Sequence, residues 1–293
     1  MAAPDAVAKP SWLRTRASLP SGIAEVRRTL RDCGSRTVCD SSRCPNLGYC
    51  WSKGHATFMI LGDRCTRGCL FCAVPSGPPS ELDEGEPELV AESVRRLGLR
   101  HAVITSVTRD DLPGGGAEVF AQMVRQVRWM NPGVSVEVLI PDLQGDLNAL
   151  RSVVSAAPDV LGHNLETVRS LQWIRDHRAS YERSLNVLSA VREMDPTMLT
   201  KSSLMLGLGE VREEIVQAMR DLRRAGVDLL TIGQYLPPRG GRLPLKRYVP
   251  PEEFDELRAT ALGMGFRGVK AGPLVRSSYD ALQLMKEAGE GRC

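Results

Sequence analysis

The sequence predicts an α/β protein, a partial (βα)6 barrel of the TIM type with a cysteine-rich N-terminal extension and a short C-terminal one. Three observations carry this. From residue 57 onward, short apolar runs alternate with amphipathic segments, which predicts a parallel sheet with helices outside it. The alternation gives six strand–helix units, a last strand and a short helix, where a full barrel needs eight units. The chain has 293 residues and is 42% hydrophobic, enough for one large core.

Each element has its own warrant. Thr57-Phe58-Met59-Ile60-Leu61 is an apolar run that reads as a strand, and a cysteine loop follows it. Residues 87–97 read as a helix: Pro87 stands at its first position, Val90, Val94 and Leu97 share a face, and Gly98 closes it. Strand 102–104 precedes helix 117–130, whose stripe is Phe120, Met123, Val124 and Val127. Strand 134–140 and helix 147–156 follow. The pattern continues as strand 159–163, helix 181–194, strand 199–206, helix 211–225, strand 228–232, helix 252–264 and strand 267–271. Residues 1–54 read as a loop-dominated extension that needs a cofactor to hold it. Periodicity alone leaves a doubly wound sheet open; in both folds chemistry sits at the C-terminal strand ends.

Composition excludes several classes. The net charge of +3 is too small to predict nucleic-acid binding, and the arginine-rich stretches 95–100 and 220–224 read as solvated helix faces. No stretch of eighteen apolar residues predicts a membrane span. Met1 to Pro10 lacks the apolar core of a secretory signal, and it lacks transit-peptide character. The expectation is a soluble, cytoplasmic protein. Of eight cysteines, Cys33, Cys39, Cys44, Cys50, Cys65, Cys69 and Cys72 fall within forty residues, with Cys293 at the end. Such crowding in a reducing compartment points to metal rather than a disulfide framework.

Cys65-Thr66-Arg67-Gly68-Cys69-Leu70-Phe71-Cys72 gives C-x3-C-x2-C directly after the first strand. Three thiolates on one loop can hold three irons of a cubane cluster and leave the fourth open to a small chelating molecule. A three-cysteine zinc site is the alternative, although zinc favours paired C-x2-C units. Cys39-x4-Cys44-x5-Cys50 is a second three-thiolate set, with turn-forming Pro45-Asn46-Leu47-Gly48 inside it. Cys33 does not fit that spacing and, like Cys293, reads as inert. Gly114 to Gly116 offer unhindered backbone at a strand end, or a plain loop. Asn164 and Glu166 follow the fourth strand, as ligand contacts or as a satisfied polar cluster. His163 reads as structural and Arg109-Asp110-Asp111 as an internal ion-pair network, while Lys201 and Arg276 could reach the site's rim. Ser277-Ser278 reads, on spacing alone, as a helix cap before 279–287.

The C-x3-C-x2-C loop, with its aromatic Phe71, resembles the radical S-adenosylmethionine (SAM) superfamily. Cys39 to Trp51, C-x4-C-P-N-x3-C-W, resembles the lipoyl synthase family within it. Lys9-Pro10-Ser11-Trp12-Leu13-Arg14, Arg109-Asp110-Asp111-Leu112, His163-Asn164-Leu165-Glu166-Thr167, Gly207-Leu208-Gly209-Glu210 and Arg276-Ser277-Ser278-Tyr279 extend the likeness over roughly residues 9–281. Three positions depart: Gly114 where Asp is usual, Ser203 where Gly is usual, and Arg242 where His is usual.

The resemblance implies two [4Fe–4S] clusters and SAM as cosubstrate. Cys65, Cys69 and Cys72 would hold the SAM-binding cluster. Cys39, Cys44 and Cys50, with Ser278 as fourth ligand, would hold an auxiliary cluster that serves as the sulfur source. Gly114, Gly115, Asn164 and Glu166 would contact SAM. The implied reaction inserts sulfur at C6 and C8 of a protein-bound octanoyl-lysine group. The implied partners are octanoylated lipoyl-carrier domains and an electron donor such as ferredoxin or flavodoxin, with the enzyme a monomer. Residues 1–54 would form the extension, 55–272 the barrel and 273–293 the serine-bearing tail. A biotin-synthase-like enzyme, a two-cluster electron carrier and a zinc-stapled binding module are the competing readings. The cysteine spacing opposes the first, and four cysteines per cluster would be usual for the second.

Overall fold

Seven apolar runs form seven parallel strands, in a computed structural model that describes residues 9–13, 20–42, 44–53, 55–238 and 240–290. Cys293 and Arg14 lie outside the described residues. The extension contributes helices α1 (Pro20–Asp32), α2 (Val38–Ser41) and α3 (Leu47–Ser52). The barrel then runs β1 (Thr57–Ile60), α4 (Glu86–Arg96), β2 (His101–Ser106), α5 (Ala117–Met130), β3 (Ser135–Leu139), α6 (Leu147–Ser155), β4 (Val160–Gly162) and α7 (Tyr181–Met194). It continues through β5 (Leu199–Leu206), α8 (Arg212–Arg224), β6 (Leu229–Gln234), α9 (Pro251–Gly263), β7 (Gly268–Gly272) and α10 (Ala281–Glu290).

The strands pair in sequence order from β1 to β7, and β1 does not pair with β7, so the barrel is open along one side. This is the six units plus strand and helix that the alternation predicts. The helices form for the reasons read from their residues. α4 carries Pro87 and two acids in its first turn and Arg95 and Arg96 in its last, complementing its dipole. α5 buries Phe120, Met123, Val124 and Val127.

The extension departs from the expectation of an irregular segment. α1 places Ile23, Val26 and Leu30 against the core at helical spacing. α2 starts on Thr37, whose hydroxyl accepts the Asp40 N–H. α2 and α3 have four and six residues, too short to be stable from propensity alone. Packing of Cys39 and Trp51 into the same core as Phe58 and Ile60 stabilises them.

At the N-terminal ends of the strands, α10 lays Leu284 and Ala288 on Val160, Leu199 and Leu229. Inside the barrel, Lys201 Nζ donates to Glu137 at 2.7 Å, and His101 stands 3.6 Å from the same carboxylate. Lys201 therefore does not reach the rim: Gly162 pairs with it across the sheet, and its side chain is 4% exposed.

Candidate active site

The chain leaves β1 through Leu61 and Gly62, both at positive φ, and folds back so that Cys65 N–H donates to Pro75 O and Gly77 N–H to Cys65 O. Every thiol of the intervening loop accepts a backbone N–H. Thr108 N and Arg67 N lie 3.3 and 3.4 Å from Cys65 Sγ, Asp176 N 3.2 Å from Cys69 Sγ, and Val74 N 3.4 Å from Cys72 Sγ. Such donors stabilise thiolates and tune the metal they bind. Without a metal, Cys69 and Cys72 favour the protonated form: burial pushes Cys69 up, and it pushes Cys72 up to about 11 although that residue opens onto the cleft.

Ion pairs clamp the loop from both sides. Arg67 donates two bonds of 2.8 Å to Asp110 and one of 2.6 Å to Asp142, beyond the end of β3. Asp176 accepts the Gly68 N–H at 2.9 Å and is paired with Arg178, which also donates to Thr66 O. Arg178 holds the Asp176 carboxyl well below the usual carboxylate range. Arg109 pairs with Asp111 and reaches Leu61 O, so the Arg109–Asp111 segment is the ion-pair network read from the sequence. Arg242 donates to Gly68 O at 3.2 Å.

A cavity of about 190 Å³ lies between this loop and the ends of β2, β3 and β4, and Cys65, Cys69, Cys72, Asn164, Glu166 and Arg175 are among its walls. Asn164 Nδ2 donates to Glu166 Oε1 at 3.1 Å. Glu166 has φ +71, and its backbone is held there by bonds to Ser203 O and from Met205 N. A non-glycine residue fixed in that region marks a site where geometry outranks local preference. Burial pushes its carboxyl up, opposed by the nearby Arg175 and Asn164. His163 is structural: its ring nitrogens lie 2.9 Å from Ile140 O and Ser184 Oγ, and burial lowers its pKa to about 4.

Gly114 and Gly115 are not brought into either cavity beside the loop. Their φ values of +58 and +62 suit glycine, but a Cβ at Gly114 would meet Ala149 at 3.1 Å and one at Gly115 would meet Leu143 at 3.3 Å. Their openness is used for close packing between the turn, α6 and the 143–145 turn.

The other cysteine set surrounds a small cavity of about 20 Å³ at the open side of the barrel, lined by Cys39, Cys44, Cys50, Ser278, Thr57 and His101 among others. Ser278 is not a helix cap; its hydroxyl lies 2.8 Å from Thr57 Oγ1 on β1. Asn46 Nδ2 donates to Leu274 O, and the rings of Tyr49 and Tyr279 stack 6.0 Å apart, fastening the extension to the segment after β7. The Trp51 indole N–H is buried without a nitrogen or oxygen acceptor and lies beside Cys39, favouring its thiolate. Burial raises the Cys39 thiol and pushes Cys50 up to about 12.

Both donor sets fit iron–sulfur clusters. Among the described residues, no three His, Cys, Asp or Glu side chains converge as one metal ion would require. Each cysteine set instead rings a cavity and carries soft sulfur donors, and in the Cys65–Cys72 loop every sulfur accepts a backbone N–H. Cys33 is buried outside both cavities.

A cleft of about 720 Å³ joins the two sets. Cys44, Arg276 and Ser277 line it together with Phe71, Cys72 and Glu166. Tyr235 and Leu236, after the end of β6, line it too. Arg276, half-buried, lines both the cleft and the cavity of the auxiliary set and donates to Gln234 O. Sequence reasoning missed Arg67, Asp142, Asp176, Thr57 and Trp51. The polar run Arg175-Asp176-His177-Arg178, which interrupts the strand–helix alternation, is the one signal that marks part of that set.

A cluster-type cysteine loop at the end of the first strand of an open barrel, facing a cleft at the strand ends, defines a class, and residues 59–233 match the radical SAM superfamily. The fold agrees: the crystal structure of HydG, a maturase of the [FeFe]-hydrogenase, superimposes with a TM-score of 0.57 at 13% identity, over 80% of this chain and 62% of that one. The chain is 53% identical to the lipoyl synthase of Rubrobacter xylanophilus, covering 97% of this chain and 88% of the relative. It is also 53% identical to that of Thermus thermophilus, over 96% and 87%. The chain belongs to the lipoyl synthase family, radical SAM enzymes that use SAM and [4Fe–4S] clusters in making the lipoyl cofactor. Among the described residues no helix is long and apolar enough to cross a membrane.

Proposed function

We propose that this chain inserts two sulfur atoms, at C6 and C8, into an octanoyl-lysine group carried on a lipoyl-carrier domain. The observation that carries the reading is the single cleft lined by both Cys72 and Cys44. Cys65, Cys69 and Cys72 would hold a [4Fe–4S] cluster open to SAM, and Cys39, Cys44, Cys50 and Ser278 would hold the auxiliary one. When bound, the first cluster and SAM would supply the radical chemistry that activates the two carbons, and the auxiliary cluster would supply the sulfur.

The protein's own work is positioning. Arg67, clamped between Asp110 and Asp142, fixes the loop that carries three of the cysteines. Asn164 and Glu166 present polar groups to SAM between that loop and the cleft. Leu70, Phe71, Met205, Leu236 and Val275 supply apolar walls suited to an acyl chain. An electron donor of the ferredoxin or flavodoxin type completes the system.

The test is anaerobic reconstitution followed by reaction with SAM, reductant and an octanoyl-lysine carrier. About eight irons per chain are expected, as two cubanes require, with 5′-deoxyadenosine and a product heavier by two sulfurs. Cys50→Ala is expected to keep deoxyadenosine formation and lose sulfur insertion, and Cys72→Ala to lose both. Sulfur insertion that survives Cys50→Ala would refute the assignment of the auxiliary set.

A further inference from the structure

Thr57 opens β1 and is 4% exposed, yet it touches two members of the auxiliary set. Its hydroxyl lies 2.8 Å from that of Ser278, a partner 221 residues away in sequence. It also stands at Cys39, where its backbone N–H favours the thiolate. Thr57, Ser278 and the three cysteines line one cavity.

The chemistry of the pair fixes its direction. A serine bound to iron as an alkoxide has no proton to give. The proton between the two oxygens must then be the one on Thr57, and a hydrogen bond to a charged oxygen is of the stronger kind. The two partners are held differently. Thr57 is locked in a buried strand, in register with Val103 of β2. Ser278 lies between β7 and α10, outside any strand or helix. The fixed donor sets the place of the oxygen that faces it.

We propose that Thr57 is a positioning residue for the auxiliary cluster: it donates its hydroxyl proton to the Ser278 oxygen and keeps that oxygen on the fourth iron. This rests on the reading of Ser278 as a ligand. It implies that the Thr57 hydroxyl, which the reaction itself does not use, governs how readily that iron departs.

The experiment compares the reconstituted full chain with Thr57→Val, Thr57→Ser and Ser278→Ala. Iron released to a chelator is followed in time, and electron paramagnetic resonance reads the [3Fe–4S] signal left when one iron is lost. Far-UV circular dichroism and thermal melting report folding. Thr57→Val keeps the branched shape and is expected to lose one iron per chain about tenfold faster or more, the range for a hydrogen bond to a charged group. Thr57→Ser is expected to restore the slow release. Ser278→Ala should match or exceed the effect of Thr57→Val. If Ser278→Ala releases iron no faster than the parent chain, the ligand reading fails. If Ser278→Ala is fast while Thr57→Val stays slow, the ligand reading stands and the role of Thr57 is overturned. Should Thr57→Val not fold, Thr57→Ala takes its place, and equal release from the Ala and Ser variants overturns the proposal.

Discussion

His163 illustrates how a polar residue in the middle of a candidate site can be structural. It follows β4, faces Ile140 O and Ser184 Oγ, and leaves no ring nitrogen for a ligand. Burial, helped by the charge of Arg175, lowers its pKa to about 4. The folded state therefore holds it neutral while the unfolded chain takes up a proton near its ordinary value of about 6.5. Above that value neither state is protonated and His163 adds no pH dependence. As pH falls from about 6.5 toward 4, only the unfolded state gains the proton, so stability drops across that window and levels off below it. The loss attributable to this residue is on the order of 3 kcal/mol at most. Denaturant midpoints of the cluster-free protein at pH 7.5 and pH 5 measure it. His163→Gln is expected to be less stable at pH 7.5 and to lose less on acidification; equal losses in both proteins would refute the assignment. The structural reading of His163 was legible in the sequence, since a lone histidine beside an apolar run is more often structural than a ligand. The burial of Lys201 was not. A lysine amid Thr200, Ser202 and Ser203 looks exposed, and only the strand register shows that Glu137 meets it inside the barrel.

At the scale of elements, the barrel was readable because each strand and helix carries its own period, and neighbours in sequence became neighbours in the sheet. The cysteine loop was readable for another reason: its ligands are close in sequence. Its clamp was not, because Asp110, Asp142 and Asp176 are 43, 75 and 108 residues from the loop positions they bind. α1 to α3 were hidden because their stability is tertiary. α10 was read as a short terminal helix, but its task follows from packing. Leu284 is fully buried against the N-terminal ends of the strands, where it closes the barrel's floor. Leu284→Ala is expected to cost about 2–5 kcal/mol, the range for a buried leucine. The expected signature is a lower denaturant midpoint for the cluster-free protein, with secondary structure retained at low denaturant. A midpoint within error of the parent would mean that the floor is not held by this contact.

The open side of the barrel is where the whole molecule is assembled. A seven-stranded sheet that does not close leaves β1 and β7 as edges, and exposed edges invite other chains to pair with them. Here the extension and the tail meet across the opening. Phe58 forms an antiparallel bridge with Thr37, Met59 N–H donates to Arg36 O, Asn46 reaches Leu274 O, and Thr57 reaches Ser278. The auxiliary cysteines sit in that seam, so the cavity exists only when both ends of the chain are in place. Packing across 54/55 and 272/273 ties both ends to the barrel, so the proposed division there does not mark separate folding units. A chain ending at Gly272 would lose Ser278 and Tyr279 from the seam and Leu284 and Ala288 from the floor, uncovering Val160, Leu199 and Leu229. Exposed apolar surface of that kind promotes association. The expectation is that this truncated chain unfolds at a lower temperature than the full chain and aggregates, and that it takes up no auxiliary cluster after reconstitution. Sedimentation and thermal melting, with iron counted per chain, check it. A monomeric truncated chain that melts with the full one and still binds about eight irons would show that the barrel stands without its tail and that the auxiliary cluster needs no residue beyond Gly272.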